Sequence, residues 1–308
     1  MRKKKLLVSV VGPTAVGKTA VTIDLANAFD SEIISADSRQ FYREMELGTA
    51  KPSAEELSLA PHHFINTLSV TQEYSVGQFE KDAISLLDEL FQKHEVVFMA
   101  GGSGLFVDAV CNGLDKFPEI DPAIREKLNE TYAAKGIAHL QSLLKERDPT
   151  YYVQVDVQNP QRLIRALEVI ESTGEPFSSF RRQQAADRPF EVLRIGLEMD
   201  REKLYERIDM RMDLMIAAGL FEEAERLYQY RSLNALQTVG YKEIFGYLDG
   251  EYDKEEAVRL LKRNSRRYAK RQLTWFRRNE SVHWFSPNQV AEIKALISEE
   301  LELLKTKN

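Results

Sequence analysis

Residues 12–19 have the sequence Gly12-Pro13-Thr14-Ala15-Val16-Gly17-Lys18-Thr19, which follows the apolar run 6–11 and precedes the helix-like run 20–29. This stretch matches the pattern G-x-x-x-x-G-K-[ST], in which glycines let backbone N–H groups face a bound anion. The lysine reaches the outer phosphates, the final hydroxyl holds Mg²⁺, and the following helix directs its positive end at the same anion. An ordinary turn between a strand and a helix would not require the lysine. The pattern therefore predicts a binding site for a di- or triphosphate.

The order of apolar runs around this loop predicts an α/β fold. Short buried runs at 6–11, 32–36, 95–100 and 192–199 alternate with amphipathic helical segments, as in a parallel sheet that is covered on both faces. A possible last strand lies at 282–285. We therefore expect a P-loop NTPase-like parallel sheet core flanked by helices.

The alternation of strands and helices is interrupted in the middle of the chain. Two prolines bracket a helix-capping aspartate in Phe117-Pro118-Glu119-Ile120-Asp121-Pro122, and only helical patterns follow until a stop signal at 173–176. A polar stretch then leads back to a strand, which is typical of a domain inserted into another. The sequence predicts a catalytic core with a C-terminal helical part, 1–116 and 190–308, and an inserted all-helical domain, 117–189.

Composition excludes several other classes of protein. The 308-residue chain has no apolar stretch approaching 18 residues, and its basic start leads into a strand instead of a cleavable signal core. We therefore expect a cytoplasmic protein without a membrane span, and we expect a monomer. Cys111 is the only cysteine, which excludes an intramolecular disulfide bond, and we expect it to be a small buried residue. His62 and His63 lack partners at metal-ligand spacing, so no metal role is expected for them.

The overall charge of the chain conceals one strongly basic segment. Its 42 Lys and Arg against 48 Asp and Glu give a formal net charge of −6. Residues 259–278 nevertheless contain nine basic residues and no acidic one, while an acidic tail at 292–302 offsets the total. A helical arrangement would put the following on one face: Arg259, Arg263, Arg267, Lys270 or Arg271, and Arg278. A face of one charge sign favours contact with phosphates, and the alternative is an ordinary solvated helix.

Asp37 is the strongest candidate for a catalytic group. It follows the predicted strand 32–36 and so lies at the carboxyl end of a strand beside the phosphate loop, where open α/β sheets bind ligands. From this position it can assist a Mg²⁺ ion, as in kinase-like proteins, or act as a general base toward a nucleophile. The strand ending at Ala100 continues into Gly101-Gly102 and not into an acidic residue. The chain therefore lacks the second acidic group of a motor-type ATPase.

Further motifs accompany the phosphate loop along nearly the whole chain. The pattern S-A-D-S-R-Q-[x]₇-G-T-A-K-P-[x]₈-P-H-H begins at Ser35 and ends at His63. Other motifs are Gly101-Gly102-Ser103-Gly104-Leu105-Phe106, Asn159-Pro160-Gln161-Arg162, Arg165-Ala166-Leu167-Glu168, Arg207 with Arg211, Val239-Gly240-Tyr241-Lys242-Glu243, and residues 269–277. Together they resemble the tRNA dimethylallyltransferase (isopentenyltransferase) family, bacterial type without a zinc finger, which prenylates N6 of the adenosine 3′ of the anticodon. Ser103, Phe106 and Asn66 stand where that family usually has threonine, tyrosine and aspartate.

The resemblance implies what the phosphate loop holds. Dimethylallyl diphosphate would be bound by Gly12, Pro13, Thr14, Ala15, Val16, Gly17, Lys18 and Thr19. Lys18 and the loop amides would neutralise the diphosphate leaving group, and Thr19 would bind the Mg²⁺ cofactor. Asp37 would take the proton from adenine N6, and Arg211 would clamp the diphosphate from the opposite wall. The implied catalytic residues are thus Asp37, Thr19 and Arg211.

The resemblance also implies a binding surface for the anticodon stem-loop of tRNA. The target adenine must leave its stack to reach the phosphate loop. The residues implied to contact the flipped base or its neighbour are Asp37, Ser38, Arg39, Gln40 and Ser103. The other implied RNA contacts are Gln161, Arg162, Leu163, Ile164 and Arg165 in the insertion, and Arg263, Arg267, Lys270 and Arg271 in the basic segment.

Three other functions are compatible with parts of this pattern. A small-molecule P-loop kinase would use Asp37 with Mg²⁺ or as a base, but it leaves the basic segment 259–278 without a role. An isopentenyltransferase acting on free adenine nucleotide would need neither the insertion nor the basic segment. A non-catalytic P-loop protein that binds nucleic acid would not need the cluster around Asp37. Prenylation of tRNA accounts for all of these features together.

Overall fold

The computed structural model of the protein describes residues 5–115, 117–181 and 186–306. The basic start at 1–4, the predicted boundary residue Lys116 and positions 182–185 of the polar stretch lie outside these ranges. The chain divides into two compact units, Met1–Cys111 with Asp187–Asn308 and Asn112–Ala186. The assignment of separate functions to the two units stays a prediction.

A six-stranded parallel sheet in the order β3-β2-β4-β1-β5-β6 forms the centre of the larger unit. Its strands are β1 (Lys5–Val11), β2 (Ile33–Ser35), β3 (His62–His63), β4 (Val96–Gly101), β5 (Phe190–Leu197) and β6 (Val282–Phe285). The central strand β1 pairs Leu6 with Val96 of β4 and Leu7 with Val192 of β5. The predicted P-loop NTPase-like α/β class is thereby confirmed. Strand β3 was not predicted, because two histidines carry no apolar pattern.

Helices account for most of the remaining described residues. They are α1 (Lys18–Ala28), α2 (Ala54–Leu59), α3 (Val76–Lys93), α4 (Gly104–Asn112), α5 (Pro122–Arg147), α6 (Pro149–Tyr152), α7 (Pro160–Thr173), α8 (Phe177–Phe180), α9 (Arg201–Ala217), α10 (Leu220–Leu227), α11 (Lys242–Leu248), α12 (Lys254–Phe276) and α13 (Val290–Thr306). Within the described ranges, none of these helices has the length and apolar character needed to cross a membrane.

Apolar side chains bury both faces of the sheet. Along β1, Leu7 and Val11 belong to one core and Leu6 and Val8 to the other, because successive side chains of a strand point to opposite faces. Helices α3, α4 and α12 contribute to the first core, and α1, α9 and α13 contribute to the second. With both faces covered, the ends of the strands are the places where the sheet can meet a ligand.

The smaller unit is helical and has an apolar core of its own, formed mainly by α5 and α7. Helix α5 is interrupted at Gly136, whose φ of 72° lies in the left-handed region that favours glycine. Helix α7 begins where the Asn159 side chain accepts hydrogen bonds from the backbone N–H groups of Gln161 and Arg162. It ends at Gly174, which is also left-handed.

Candidate active site

The phosphate loop connects β1 to α1, as its sequence predicts. Gly12 and Gly17 have φ angles of 148° and 111°, which side chains rarely allow. A Cβ atom on Gly12 would lie 2.5 Å from the carbonyl oxygen of Leu197, so this position also requires glycine for space. Pro13 and Val16 belong to the loop, but they are buried, so they can offer a ligand only backbone groups. The side chains that line the adjoining cavity come from Thr14, Ala15, Lys18 and Thr19.

Lys18 begins α1 and lies within the loop that precedes it. Its Nζ donates hydrogen bonds to the carbonyl oxygens of Gly12, at 3.0 Å, and of Pro13, at 2.8 Å. Burial lowers the pKa of the Lys18 ammonium from its ordinary 10.5 to about 8; the nearby Asp37 carboxylate opposes this shift, and Arg211 adds to it. A bound anion would restore the charged form, so the site is suited to a multiply charged phosphate ligand.

Helix α9 adds two arginines to the loop from the other side. Arg211 donates a hydrogen bond to Thr14 Oγ1, and Arg207, four residues earlier, donates from Nε to the Ala15 carbonyl oxygen at 3.0 Å. Burial lowers the pKa of the Arg211 guanidinium, while Asp37 opposes that shift. Both arginines line the same cavity as Lys18. The structure thus brings three cationic side chains, far apart in sequence, to one loop.

Asp37 lies just beyond β2, at the same edge of the sheet as the phosphate loop. Its Oδ1 accepts a hydrogen bond from the backbone N–H of Arg39 at 3.0 Å, which orients the carboxylate. Ser103, just beyond β4, accepts from the Ser38 backbone N–H at 3.0 Å and shares a hydrogen bond between the two hydroxyls at 3.1 Å. The ends of β1, β2 and β4 therefore converge on one site, as a parallel sheet requires.

Two cavities meet at this convergence, and both lie within the larger unit. The larger measures about 600 Å³ and the smaller about 90 Å³. Both are lined by Thr14, Lys18, Asp37, Thr49, Ala50 and Arg211. The larger one adds Thr19, Gln40 and Arg207, and the smaller one adds Arg39, Tyr268 and Gln272. Lys18 and Asp37 consequently border both cavities.

Gln272 of α12 is a site residue whose role the sequence did not reveal. Its Oε1 accepts from the Thr14 backbone N–H at 2.8 Å, and its Nε2 donates to the Gly102 carbonyl oxygen at 2.9 Å. The side chain is buried and joins the phosphate loop to the loop after β4. One signal was present, because Gln272 is a polar residue in the buried series Leu261, Ser265, Ala269, Gln272 and Phe276 of an amphipathic helix.

Arg39 and Tyr268 form part of the smaller cavity. Burial lowers the pKa of the Arg39 guanidinium, and burial followed by the charge of Asp37 raises the pKa of Tyr268 to about 12. Tyr268 is therefore a neutral phenol at physiological pH, and Arg39 remains a cation. A flat polar ligand in this cavity would meet one aromatic ring, one guanidinium and the Asp37 carboxylate.

Most of the basic segment lies on α12, and Arg277 and Arg278 follow the end of that helix. Arg278 lies over the Trp275 ring at 5.7 Å, and the other eight cations form two groups of four. Four of them pair with carboxylates: Arg259 with Glu256, Lys262 with Asp213, Arg266 with Asp209 and Arg277 with Glu198. The sequence predicts a helix face of one charge sign that includes Arg259. This prediction is wrong at Arg259, because Glu256 lies three residues earlier on the same helix and pairs with it. Acidic residues of α9 and of the segment after β5 neutralise the other three.

The predicted RNA-binding residues of α12 belong to the second group. In the described part of the chain, Arg263, Arg267, Lys270 and Arg271 have no carboxylate within ion-pair distance. Arg267, Lys270 and Arg271 are exposed, while the half-buried Arg263 donates to Asn264 Oδ1 at 3.2 Å. Their positive charges are free to meet an external anion. Whether that anion is RNA stays a prediction.

The predicted RNA-binding residues of the smaller unit lie on α7. Gln161 and Arg162 are exposed at its first turn, whereas Arg165 donates to the buried Glu168 carboxylate and lies over the Phe117 ring at 5.1 Å. Leu163 and Ile164 were also predicted to contact RNA, and this needs correction. Both side chains are 0% exposed in the core of the unit, because they occupy the apolar face of the helix.

The chain is similar to proteins of one family along nearly its whole length. A model of the IPP transferase family matches residues 40–279. A tRNA dimethylallyltransferase of Cytophaga hutchinsonii is 50% identical over 298 residues, covering 97% of this chain and 98% of its own. A tRNA dimethylallyltransferase of Christiangramia forsetii is 54% identical over 279 residues, covering 91% and 92%.

Solved structures show the same similarity in three dimensions. The full-length tRNA isopentenylpyrophosphate transferase of Bacillus halodurans superimposes with a TM-score of 0.74 at 39% identity, over 98% of this chain and 99% of that one. A eukaryotic dimethylallyltransferase, described as acting on tRNA, gives a TM-score of 0.73 at 26% identity, over 88% of this chain and 69% of its own. The fold, the motifs and the extent of these matches together show that the chain belongs to the IPP transferase family.

Proposed function

We propose that this protein transfers a dimethylallyl group from dimethylallyl diphosphate to N6 of the adenosine 3′ of the anticodon in tRNA. One observation carries the proposal: both cavities are lined by the same four residues, Thr14, Lys18, Asp37 and Arg211. An anion-binding site and a carboxylate therefore lie between the two cavities, where a ligand in one can react with a ligand in the other. The names of the relatives and of the superimposed structures agree with this activity. Each step of the reaction can be assigned to residues of the larger unit.

The larger cavity suits an allylic diphosphate. Its lining includes the cations Lys18 and Arg211 and also Met210 and Leu214 of α9, which are 63% and 65% exposed. A diphosphate bound by these cations would leave its short hydrocarbon chain within reach of the apolar groups, which would then lose contact with water. Cationic and apolar side chains in one cavity suit a prenyl diphosphate.

Stabilising the leaving group is the main task of the phosphate loop. The allylic carbon–oxygen bond breaks with its electron pair going to diphosphate, and a carbon–nitrogen bond forms to N6. Lys18, Arg211 and the loop amides would neutralise the charge that develops on the departing oxygen. Their positions are held by hydrogen bonds before the reaction, so little reorganisation is needed when that charge develops.

Asp37 would remove the proton from N6. The lone pair of an exocyclic adenine amine is delocalised into the ring, so the amine is a weak nucleophile and gains from a base that takes its proton as the new bond forms. Asp37 faces both cavities, and its carboxylate is oriented by the Arg39 backbone N–H. An adenine in the smaller cavity would present N6 toward this carboxylate.

The residues at the loop also fit a Mg²⁺ ion. Thr19, which follows Lys18, and Asp37 both line the larger cavity. In the described ranges no three His, Cys, Asp or Glu side chains cluster to bind a metal unaided. Such a sparse donor set is typical of Mg²⁺ sites in which substrate phosphates and water supply most ligands. When bound, the ion would neutralise part of the diphosphate charge, with Thr19 as its protein ligand.

The free cations of α12 would hold the RNA. Arg267, Lys270 and Arg271 are exposed without acidic partners, and Gln272 of the same helix contacts the phosphate loop. Contacts to RNA phosphates on the outside of α12 would therefore lie close to the site of chemistry. The target adenine would have to be turned out of its stack to enter the smaller cavity.

The proposal is tested by offering the purified protein dimethylallyl diphosphate and Mg²⁺ together with different acceptors. We expect an unmodified tRNA transcript to gain one N6-dimethylallyladenosine, detected by mass spectrometry of its nucleosides, with release of one diphosphate. Adenosine mono- or triphosphate should remain unmodified. Prenylation of the free nucleotides alone would favour the isopentenyltransferase that uses free nucleotide, and ATP-dependent phosphorylation of a small molecule would favour the kinase.

A further inference from the structure

Glu223 of α10 is a buried acid that none of the chemistry above uses. Only 3% of its surface is exposed, yet its carboxylate accepts four hydrogen bonds. Oε2 accepts from the backbone N–H groups of Glu46 and Leu47 at 3.2 and 2.8 Å. Oε1 accepts from the Gly48 N–H at 3.0 Å and from the Tyr241 hydroxyl at 2.6 Å. Both oxygens are thus occupied by donors.

The backbone donors lie at the start of a short segment, residues 46–50, that contains one 3₁₀ helix, Leu47–Thr49. Ala50 has a φ of 47°, which is unfavourable for a residue with a side chain. A Cβ atom on Gly48 would lie 2.4 Å from the Tyr241 ring, so the segment passes directly against that ring. Three successive N–H groups that point at one carboxylate hold such a segment more strongly than neutral partners would, because hydrogen bonds to a charged acceptor are the stronger kind.

The segment held by Glu223 forms part of the wall that the two cavities share. Thr49 and Ala50 line both the larger and the smaller cavity, directly after the residues that Glu223 binds. Gln40 Nε2 reaches the carbonyl oxygens of Thr49 and Ala50 at 3.4 Å each, the upper limit of such bonds. The hydrogen bonds that Glu223 accepts from this segment are shorter, at 2.8–3.2 Å, and involve a residue more than 170 positions later in the chain.

We propose that Glu223 is a positioning residue for prenyl transfer. Its carboxylate fixes the position of segment 46–50, so that Thr49 and Ala50 in the shared wall align the two substrates for reaction. The proposal rests on the proposed function, because it concerns the meeting of donor and acceptor. Glu223 itself touches neither cavity. Misplacing the wall would slow transfer while leaving the phosphate loop and the surface of α12 intact.

The test compares variants by their turnover at saturating substrates. Glu223→Gln keeps the size of the side chain but replaces one acceptor oxygen with an NH₂ group that faces backbone N–H donors. We expect kcat to fall about 10- to 100-fold, as for a reactant displaced by about 1 Å. The KM for tRNA should stay within about twofold. Tyr241→Phe removes one donor of four and should lower kcat only about 3-fold.

A matched control separates positioning from stability. Asp148 of the smaller unit is also buried, and its carboxylate accepts from the Tyr151 and Ser178 backbone N–H groups and from the Ser178 hydroxyl. Asp148→Asn should lower the Tm as Glu223→Gln does, with kcat unchanged at a temperature where both variants are folded. Hydrogen exchange at amides 46–48 should accelerate in Glu223→Gln and not in Asp148→Asn.

Two outcomes overturn the proposal for Glu223. One is a folded Glu223→Gln or Tyr241→Phe variant in which the amides of 46–48 exchange faster while kcat stays at the wild-type value. The other is an equal loss of kcat in Asp148→Asn. A wild-type protein that prenylates no tRNA refutes the proposed function instead, and this is established before any variant is measured.

Discussion

Replacing Gln272 by Leu should damage both stability and catalysis, and the structure gives the size of each effect. The substitution keeps the volume of the side chain but leaves the Thr14 N–H and the Gly102 carbonyl, bonded at 2.8 and 2.9 Å, without partners. An unsatisfied buried group costs about 1–3 kcal/mol. Allowing for the gain from an apolar side chain, we expect the free energy of unfolding to fall by about 2–4 kcal/mol. At about 2–4 °C per kcal/mol in a domain of this size, the Tm should drop by roughly 5–15 °C.

The catalytic effect follows from the hydrogen bond between Thr14 and Arg211. Its hydroxyl accepts the hydrogen bond from Arg211, so a shift of the Thr14 backbone moves the arginine away from the diphosphate. We expect kcat/KM for dimethylallyl diphosphate to fall about 10²-fold, as for a misplacement of about 1 Å. Gln272→Glu keeps the acceptor for Thr14 but directs a carboxylate oxygen at the Gly102 carbonyl, so its activity should be intermediate. Steady-state kinetics at a temperature well below both Tm values measures these effects.

Trp275→Phe is the control on the same helix. It removes the 2.8 Å hydrogen bond from the indole N–H to Asp108, a bond that involves no residue of the phosphate loop. Its stability should fall by about 1–3 kcal/mol while kcat/KM stays within about twofold. A Gln272→Leu enzyme with wild-type kcat/KM, or a Trp275→Phe enzyme impaired to the same extent, refutes the reasoning.

Three further predictions follow from the site. Asp37→Asn keeps the size of the side chain and removes its basicity, so turnover should fall by roughly 10² to 10⁴ with the affinity for tRNA little changed; a near-normal rate contradicts the assignment of the base. The pKa of Lys18 is lowered to about 8, so its ammonium loses its proton as pH rises through that value, and kcat/KM for dimethylallyl diphosphate should decline above about pH 8. Lys18→Ala should be slow at every pH and lack this decline, and the wild type should show no ATP hydrolysis stimulated by tRNA; robust ATP hydrolysis argues for the kinase. Changing Arg263 and Arg267 together to Gln should flatten the log–log dependence of tRNA affinity on salt by about one to two units, with transfer at saturating tRNA nearly intact. An unchanged slope means that these two arginines do not face RNA phosphates.

The elements of the fold that the sequence predicts are those with local signals. Strand β1, the phosphate loop and α1 follow from an apolar run, two glycines and a lysine within one short stretch. Strand β4 was predicted in the same way. Strand β3 was not, because its two residues are held by pairing with β2 and by the hydrogen bond between His63 and Glu32, which lies 31 positions earlier. Such partners leave no periodic pattern in the sequence.

The residues of the candidate site also fall into those that the sequence locates and those that only the packing of distant elements brings to the site. Lys18, Thr19 and Asp37 can be located from the chain alone, since each follows a strand whose end must face the ligand edge of a parallel sheet. The hydrogen bonds of Thr14 with Arg211 and with Gln272 join residues 197 and 258 positions apart. Only helices α9 and α12, after they pack on the sheet, bring these side chains to the loop.

The basic segment 259–278 shows why some features can be predicted from the sequence and others depend on the tertiary structure. Its nine cations in 20 positions are a property of the sequence, and so is their distribution over the faces of a helix. Charge composition and helical period act over a few residues and can be derived from the order of amino acids. Neutralisation of a cation depends on acids elsewhere in the chain, and packing of α9 against α12 places Asp209 and Asp213 beside Arg266 and Lys262. Packing of distant elements therefore decides which cations of α12 remain free for a ligand.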